Sequence, residues 1–539
     1  MPKGSQEYSS IACCSEFNTF IPSDSETPPI AIETEQTNCH HLSMETIRRF
    51  IKKSTKKRGL EKKGSDPKNT SPRPSRNPTP ALPPEIWCQI LSNLSGRKDL
   101  LAALHVNRLF QGFSEPLLYR QVSFSWSRHE RPIHLLRTLA TRPELGEYVQ
   151  VVRLYTPPHD PYSRWLSLKP LNSFEWSDVD RYLDAAWPKS GPLSDPLWLN
   201  RLRTTETHIW GGLLLAWTPN VEHLQIGPEG LDPILATISR SVDSSTLPLP
   251  IPSFRRLQKL SIDRPGPESR LEPENVFAVR TSQATSTMRN ISQILSTTPT
   301  LRKYKGPAPI GLLSCLVSMQ KSMDSLPFTK LTLYLHHSDH VLEEFLSLTP
   351  SLTDFAYIHM WLPEPTTFEC SSLFAAVYRI RESVEWLKLT ERRNESALSK
   401  AVIDSRSTWL AASTEIHGDF GSLREFLRLK TLIIPWVLLT ERNTHALNAN
   451  GLGDILPPNL ETLVIDDFLA DCVVHPSNWG ALASRRESQF ERFLVESRAS
   501  STPCLRKITI KGGYEFWDGG HTARMTEMCE AAGIRVKFI

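Results

Sequence analysis

The sequence predicts an α+β protein in three parts: a disordered N-terminal arm over residues 1–80, a small all-α module over 81–122, and an irregular α/β solenoid over 123–539. Three observations lead to this prediction. Residues 1–80 show no sustained apolar period, residues 82–119 carry apolar side chains at helical spacing, and a helix–Thr-Pro–strand pattern recurs from about residue 145 onward. A chain of 539 residues is also too long for a single core.

The predicted arm is rich in Ser, Thr, Pro, Lys and Glu, and such a composition buries too little apolar surface to fold. Its charge is segregated. Residues 1–45 carry one lysine and seven acidic side chains, a net charge of −6, whereas residues 46–80 carry twelve basic and two acidic ones, a net charge of +10. Residues 71–80 are rich in proline, which excludes a helix and indicates a domain boundary.

A basic run lies in the second half of the arm. Its cationic side chains are Arg48, Arg49, Lys52, Lys53, Lys56, Lys57 and Arg58. Three interpretations stay open: a nuclear import signal, a contact to nucleic acid or another anionic surface that extends over residues 48–63, and a solvated tail. Nuclear import is the preferred interpretation, and nucleic acid is not expected as a partner.

The nine cysteines are scattered and form no CxxC pair, so we expect reduced thiols. The N-terminus has no apolar core of a signal peptide, and the apolar run at 213–217 is far shorter than the roughly 20 residues that a bilayer requires. These features predict a soluble protein of the nucleus, the cytoplasm or both, with no membrane partner.

The helical module begins at Leu82. Adjacent prolines at positions 83 and 84 and an acidic Glu85 are typical of a first helical turn. Apolar residues then follow at helical spacing up to Leu94, Gly96 ends this helix, and two further helices carry apolar residues from Leu100 to Phe113. About 40 residues are marginal as a folding unit, so we expect the module to pack on the following region, on a partner, or on both.

The solenoid prediction rests on a recurring switch. A helix-like apolar stretch leads to Thr-Pro and then to a strand of the form L-x-x-L-x-L, and four nearly complete copies contain Thr218, Thr298, Thr349 and Thr502. Proline cannot extend a helix and moves the preceding residue toward extended geometry. Six further copies keep only the strand, beginning at Val149, Leu257, Phe328, Val384, Leu429 and Leu460. The alternative interpretation is an ordinary α/β domain with leucine-containing strands.

Within each strand, residues two apart share one face. The apolar pair is expected to face the helices, and the intervening residues are expected to point outward and to bind a protein substrate. These candidates are His223, Gln225, Lys259, Lys330, Tyr334, Trp386, Lys388, Asp466 and Lys507.

Residues 82–122 resemble the F-box family, with its pattern L-P-x-E-I-x-x-x-I-L-x-x-L, a short gap, D-L and a V-[CN]-[KR]-x-[FW] segment. Pro116 to Arg120 is typical of fungal members, and the downstream units look like degenerate leucine-rich repeats. The resemblance implies that the module binds a Skp1-like linker protein. The residues carried over are Leu82, Pro83, Ile86, Ile90, Leu91, Leu100, Leu101, Leu104, Val106 and Phe110. About half are expected to fill the core of the module instead, and Leu82 and Pro83 are the preferred partner contacts.

The implied function is that of a substrate adaptor in a Skp1–cullin–F-box ubiquitin ligase, in which a cullin and a RING subunit join through the linker protein. Two alternatives stay open: a Skp1-binding scaffold without a ligase, and a nucleic-acid or chromatin binder that uses residues 48–63. The sequence contains no GxxxxGK[ST], GxGxxG, GxSxG or HExxH motif, and no acidic or cysteine partner completes a metal site with His336 and His340. We therefore expect no catalytic site, no cofactor and no metal.

Overall fold

The computed structural model describes most of the region downstream of the predicted arm. The described residues are 82–94, 96–125, 130–155, 211, 214–215, 217–227, 254–262, 291, 294–295, 298–308, 313–314, 316–317, 325–335, 340–360, 367–392, 415–441, 451–466, 479–511 and 519–539. They belong to one compact unit, Asn77–Ile539. The predicted arm, with its basic run at 48–58, lies outside the described residues, as does His336.

Three helices open the described region: α1 (Pro84–Ser92), α2 (Arg97–Leu104) and α3 (Arg108–Tyr119). Pro84 occupies the first position of α1, where its missing N–H has no helical partner to lose. Asn107 caps α3, because its side-chain oxygen accepts a hydrogen bond of 2.9 Å from the backbone N–H of Phe110. The predicted helical module is therefore present.

The last helix of this module leads directly into a parallel sheet. Strand β1 (Gln121–Ser125) follows α3 after one residue and pairs with β2 (Val151–Tyr155). The boundary predicted between residues 122 and 123 falls inside β1. The backbone carbonyl of Arg120 accepts hydrogen bonds from the N–H groups of Gln150 and Val151, so the sheet ladder begins at the end of α3.

Twelve of the described strands form one sheet in which every neighbouring pair is parallel. Their order in the sheet follows the chain, because β8 (Thr367–Glu369) and β10 (Glu415–His417) form a separate parallel pair. The remaining strands of the large sheet are β3 (His223–Ile226), β4 (Lys259–Ile262), β5 (Lys303–Pro307), β6 (Lys330–Leu335), β7 (Asp354–Met360), β9 (Trp386–Arg392), β11 (Thr431–Ile434), β12 (Thr462–Asp466), β13 (Lys507–Lys511) and β14 (Arg535–Phe538).

Helical segments connect these strands. They are α4 (Glu130–Thr141), α5 (His340–Ser347), α6 (Cys370–Tyr378), α7 (Trp479–Arg492), α8 (Arg498–Ser501) and α9 (Gly519–Ala531), with 3-10 turns at Pro143–Tyr148 and Gly451–Asp454 and π-helical turns at Val437–Glu441 and Phe493–Ser497. Parallel strands need such crossovers, since a tight hairpin cannot reverse the chain twice. A small helical module followed by a parallel sheet with helices is the architecture that the sequence predicts at this coarser level.

One face of the sheet forms the core. The residues that pair across successive strands are Val152, Leu224, Leu260, Tyr304, Leu331, Phe355, Leu387, Leu432, Leu463 and Ile508, all buried. The apolar residues of L-x-x-L-x-L therefore share the inner face, as predicted. Tyr304 stands where the other copies have an aliphatic residue or Phe. Its hydroxyl donates to the Pro307 carbonyl at 2.7 Å, and burial raises the pKa of this phenol well above its ordinary value.

The Thr-Pro pair acts as the predicted switch. The hydroxyl of Thr349 donates to the carbonyl of Leu346 at 2.8 Å, and its N–H donates to the same carbonyl, so the helical turn ends at this residue. The carbonyl of Thr349 then accepts from the N–H of Leu352, which closes a turn around the proline and leads to β7. The hydroxyl of Thr218 also donates to the preceding turn, to the carbonyl of Leu214 at 2.9 Å. The threonine is buried in all four copies.

Candidate protein-binding surfaces

The helical module leaves several large apolar side chains exposed. Among the described residues, eight large hydrophobic side chains are exposed, and Leu82, Ile86, Leu101 and Leu109 are four of them, with exposed fractions of 40–54%. The adjacent Pro83 is exposed as well. Half of the exposed large apolar residues thus lie between positions 82 and 109, and a concentration of this kind indicates a protein-binding surface.

The ten residues carried over from the F-box resemblance divide into three groups. Leu82, Pro83, Ile86 and Leu101 are exposed; Ile90, Leu104 and Val106 are half-buried; and Leu91, Leu100 and Phe110 are buried. The buried group packs inside the module, where the ring of Phe110 lies 4.8 Å from the ring of Trp87 between centroids. The placement agrees with the expected division between partner surface and core, but it does not test which residues contact a partner.

Leu109 is an exposed residue that the list of candidates omitted. Leu109 precedes Phe110 at the start of α3, and the sequence alone does not show which of these two large apolar residues is buried. In the structure the two differ in burial, since Leu109 is 54% exposed and Phe110 is buried in the module. We name Leu82, Pro83, Ile86, Leu101 and Leu109 the apolar surface of the module.

A bidentate ion pair joins the module to the sheet region. The guanidinium of Arg142 donates to both carboxylate oxygens of Glu115 in α3, at 2.6 and 3.0 Å, and to Glu144 at 3.0 Å. These bonds raise the pKa of Arg142, with the hydrogen bond to Glu115 as the largest cause. Bidentate geometry fixes the orientation of the two side chains, so the pair links α3 to the segment that follows α4.

The outward face of the sheet carries two rows of side chains in register. The first outer row is Gln121, Val151, His223, Lys259, Lys303, Lys330, Asp354, Trp386, Thr431, Thr462, Lys507 and Arg535. The second outer row, two residues further along each strand, is Ser123, Arg153, Gln225, Ser261, Lys305, Thr332, Ala356, Lys388, Ile433, Val464, Thr509 and Lys537.

Most of the predicted substrate residues lie in these rows. His223, Lys259, Lys330 and Lys507 are exposed in the first outer row, and Gln225, Trp386 and Lys388 are half-buried. Tyr334 and Asp466 are buried, with exposed fractions of 6% and 8%, so the expectation that they point into solvent is wrong. Whether the exposed residues bind a substrate stays a prediction.

The burial of the two exceptions has a local reason. Both lie beyond the second outer row, near the carboxyl ends of their strands. Strand β11 ends at Ile434, which lets Thr390 of β9 reach past it and donate to Asp466 of β12 at 2.7 Å. Tyr334 lies between Pro307 and Ile358 on the neighbouring strands, where apolar neighbours cover its ring.

Cationic side chains dominate the rows over strands β2–β6. Arg153, Lys259, Lys303, Lys305 and Lys330 occupy five of the ten positions there, and we name these five residues together with His223 the basic face. The other positions in this part are Val151, Gln225, Ser261 and Thr332, so no acidic residue belongs to either row over these strands. The pKa of His223 lies below its ordinary value, first because neighbouring residues partly desolvate its ring and then because of the Lys259 ammonium. Glu222 acts in the opposite direction, and Lys303 and Arg153 add smaller lowering effects.

Lys303 and Lys305 are members of the basic face that the candidates did not include. Strand β5 departs from L-x-x-L-x-L because Tyr304 and Gly306 take its inner positions. The sequence pattern therefore does not predict a strand at Lys303–Pro307. The preceding Thr298-Pro299-Thr300-Leu301 was the signal that could have placed it.

The described part of the chain holds no group of three or more His, Cys, Asp or Glu residues that could bind a metal ion. Among the helices described here, none is long and apolar enough to cross a membrane.

These observations define a class of protein: a small helical module with an exposed apolar surface, joined to a parallel sheet whose first outer row is mostly polar. Comparison with protein families then places the module. The model of F-box-like domains matches residues 79–125, so this part of the chain is an F-box-like domain. No curated protein matches the chain. A solved structure that is similar to it is the crystal structure of the Rad7 and Elc1 complex in yeast, at 12% identity and a TM-score of 0.22, over 57% of this chain and 73% of that one.

Proposed function

We propose that this chain is an adaptor that binds a Skp1-like protein through its F-box-like domain and a protein substrate through its sheet region. The observation that carries the proposal is the apolar surface of the module. Within the described residues, this surface holds half of the exposed large apolar side chains, in the part of the chain that matches the F-box-like model. F-box domains bind Skp1-like proteins, and burial of an exposed apolar patch favours such an association.

The finer proposal is that the linker protein brings a cullin and a RING subunit, which makes the complex a ubiquitin ligase. The chain would then act by proximity: it raises the effective concentration of a substrate lysine near the loaded conjugating enzyme. In this role it contributes no catalytic group of its own. We further propose that the sheet region is a leucine-rich-repeat-like receptor, that the family type is fungal, and that the protein acts in the nucleus, the cytoplasm or both.

The apolar surface supplies a direct test. Wild-type protein and a Leu101→Ala/Leu109→Ala variant are titrated with a purified Skp1 homologue by isothermal calorimetry. Two truncated interface leucines should weaken the affinity about 30-fold to 700-fold, because each buried apolar anchor contributes roughly 1–2 kcal/mol. A Leu82→Ala/Pro83→Ala variant tests the two residues that precede α1 in the same way.

The chain offers matched controls for these variants. Leu427 and Val495 are exposed by 62% and 78% and lie in the sheet region. Leu427→Ala and Val495→Ala should leave the affinity for the Skp1 homologue unchanged. If the homologue does not bind the wild-type protein at micromolar concentration, the adaptor proposal fails.

Co-purification distinguishes a ligase from a scaffold. Full-length tagged protein is isolated from cells, and the proteins bound to wild type and to Leu101→Ala/Leu109→Ala are compared by mass spectrometry. A ligase adaptor should recover a Skp1-like protein, a cullin and a RING subunit, and the variant should lose all three together. Recovery of the Skp1-like protein without a cullin would favour a role outside a ligase.

A further inference from the structure

We infer that the basic face binds a short, extended, acidic segment of a partner protein, whose carboxylates or phosphates contact Lys303, Lys305 and Arg153. This inference rests on the proposed function, since it names the class of substrate that the sheet region would receive. Its support is independent of the F-box-like domain: it comes from the register of five strands and from the charges that this register brings together.

The register aligns the basic side chains without interruption. His223, Lys259, Lys303 and Lys330 pair in sequence across β3, β4, β5 and β6, and all four are exposed. Arg153 and Lys305 extend the positive charge into the second outer row. Because neighbouring strands lie about 4.8 Å apart, the row from His223 to Lys330 spans roughly 14 Å.

Like charges at this spacing repel one another, and this repulsion acts on the imidazole of His223. The neighbouring ammonium groups of Lys259 and Lys303 contribute to the low pKa of its imidazole, after the larger effect of burial. An anion placed over the row would relieve this repulsion. In the described part of the chain, Lys303, Lys305 and Arg153 form no ion pair, so these three side chains are available to bind an anion.

The end of the row limits the length of the ligand. Lys330 Nζ lies 2.8 Å from Asp354 Oδ1 on the next strand, and the first outer row continues with Trp386, Thr431 and Thr462. The carboxylate of Asp354 would repel an anion that continued across it. An extended peptide advances about 3.4 Å per residue, so about five residues cover the basic face, with alternate side chains directed at the lysines.

The same limits favour a peptide over nucleic acid. Single-stranded nucleic acid is usually bound by a basic groove that follows the backbone together with aromatic side chains on which bases stack. Between His223 and Lys330 the first outer row holds no aromatic residue, and Trp386 lies beyond Asp354. A short acidic segment fits the observed charges, whereas a long polyanion would cross Asp354.

The test is a titration of full-length protein with fluorescein-labelled peptides, followed by fluorescence anisotropy. One peptide carries three glutamates within about five residues, a second replaces them by phosphoserines, a third by glutamines, and a short single-stranded oligonucleotide is the fourth probe. We expect the acidic or the phosphorylated peptide to bind at least about tenfold more tightly than the glutamine peptide, and added salt to weaken binding. The tighter of the two identifies carboxylate or phosphate as the preferred anion.

The chain provides a matched pair of variants. Lys303→Glu/Lys305→Glu reverses two charges on the basic face, and Arg535→Glu/Lys537→Glu reverses two charges at the corresponding positions of β14. The first variant should weaken the acidic peptide about tenfold or more, and the second should change its affinity less than about twofold. Lys303→Gln/Lys305→Gln, which removes charge without reversing it, serves if the reversed variant does not fold by circular dichroism.

Three results would overturn the inference: equal affinity for the acidic and glutamine peptides, a loss confined to the β14 variant, or tighter binding of the oligonucleotide than of either anionic peptide. Affinity for the Skp1 homologue is measured on the same variants. Loss of peptide binding with intact Skp1-homologue binding would leave the adaptor proposal standing, and the converse result would leave the basic face as a peptide site without that adaptor role.

Discussion

The helical module and the sheet place their apolar side chains in opposite environments. Across ten strands of the sheet, the inner residue of the register is buried and a charged or polar residue takes most positions of the first outer row. In the module, α1 and α2 bury Leu91 and Leu100 while Ile86 and Leu101 stay exposed. The sheet buries the apolar residues of its inner register, whereas the module leaves several of its apolar residues exposed.

This difference follows from the size of each part. A sheet covered by crossover helices can bury one face of every strand, because each neighbour supplies the surface that the previous unit needs. Three short helices cannot enclose all their apolar residues, because a unit of about 40 residues has a large surface relative to its volume. The exposed remainder is therefore a property of the module itself, and a partner protein is the expected cover.

The largest effect is expected when a buried residue of the sheet core is truncated. Phe355 of β7 is fully buried in the row of inner residues, so Phe355→Ala removes a ring and leaves a cavity. We expect the free energy of unfolding to fall by about 3–5 kcal/mol, measured by urea denaturation. Ile358→Ala, at a half-buried position of the same strand, is the matched control and should cost about 1 kcal/mol. Equal losses for the two variants would show that the two faces of β7 do not differ.

A smaller effect is expected at the cap of the module. Asn107→Ala removes the side-chain acceptor for the Phe110 N–H, which should destabilise the first turn of α3 by about 1 kcal/mol. Hydrogen exchange at the Phe110 amide should then be about fivefold faster, while exchange in β6 and β7 stays unchanged. Asn107→Asp keeps the acceptor and should retain most of the protection. A variant with wild-type exchange at Phe110 would show that this cap does not hold the turn.

The exposed leucine after the cap should hardly affect stability. Leu109 is more than half exposed, so Leu109→Ala should change the free energy of unfolding by less than about 0.5 kcal/mol. The same substitution is expected to weaken the complex with a Skp1 homologue, and this combination separates partner contacts from core residues. Leu91→Ala gives the opposite comparison, since Leu91 is buried and its loss should cost about 2–5 kcal/mol. A large stability loss in Leu109→Ala would place Leu109 in the core.

Much of this arrangement could be predicted from the sequence because it depends on local rules. Proline at the start of α1, the Thr-Pro switch and the two-residue period of the strands each have a local physical cause. The structure confirms them at Pro84, at Thr349, and at Phe355 and Tyr357 of β7. The division of the module into core and surface depends on which helix faces meet in space. Periodicity alone left Leu101 and Leu109 indistinguishable from Leu100 and Phe110.

The outward face shows the second limit. An alternating pattern identifies which residues point outward, but strand length decides whether they reach solvent. Asp466 is buried because β11 is shorter than β9 and β12, and no property of the sequence around Asp466 indicates this. Register is likewise a relation between distant segments. Lys259 and Lys303 are neighbours through the pairing of β4 with β5, and the sequence of β5 hides this pairing because Tyr304 takes an inner position.

The smallest expected effect is a pH dependence of peptide affinity at the outer rows. The pKa of His223 lies below the ordinary value of 6.5, because burial and then Lys259 disfavour its charged form, while Glu222 acts in the opposite direction and Lys303 and Arg153 add to the lowering. The imidazole is therefore neutral at pH 7 in the free protein. An acidic peptide above it would raise this pKa, and by linkage the peptide must bind more tightly as the pH falls through the window below 6.5.

The glutamate peptide should thus gain about two- to threefold in affinity between about pH 7.5 and pH 5.5, a range in which its own carboxylates stay ionised. His223→Gln should bind with an affinity that hardly changes over this range, measured by fluorescence anisotropy at constant ionic strength. A pH dependence that persists in His223→Gln would assign the proton to another group. A flat profile in the wild-type protein would mean that the peptide does not reach β3, and it would confine the contact to Lys303 and Lys305.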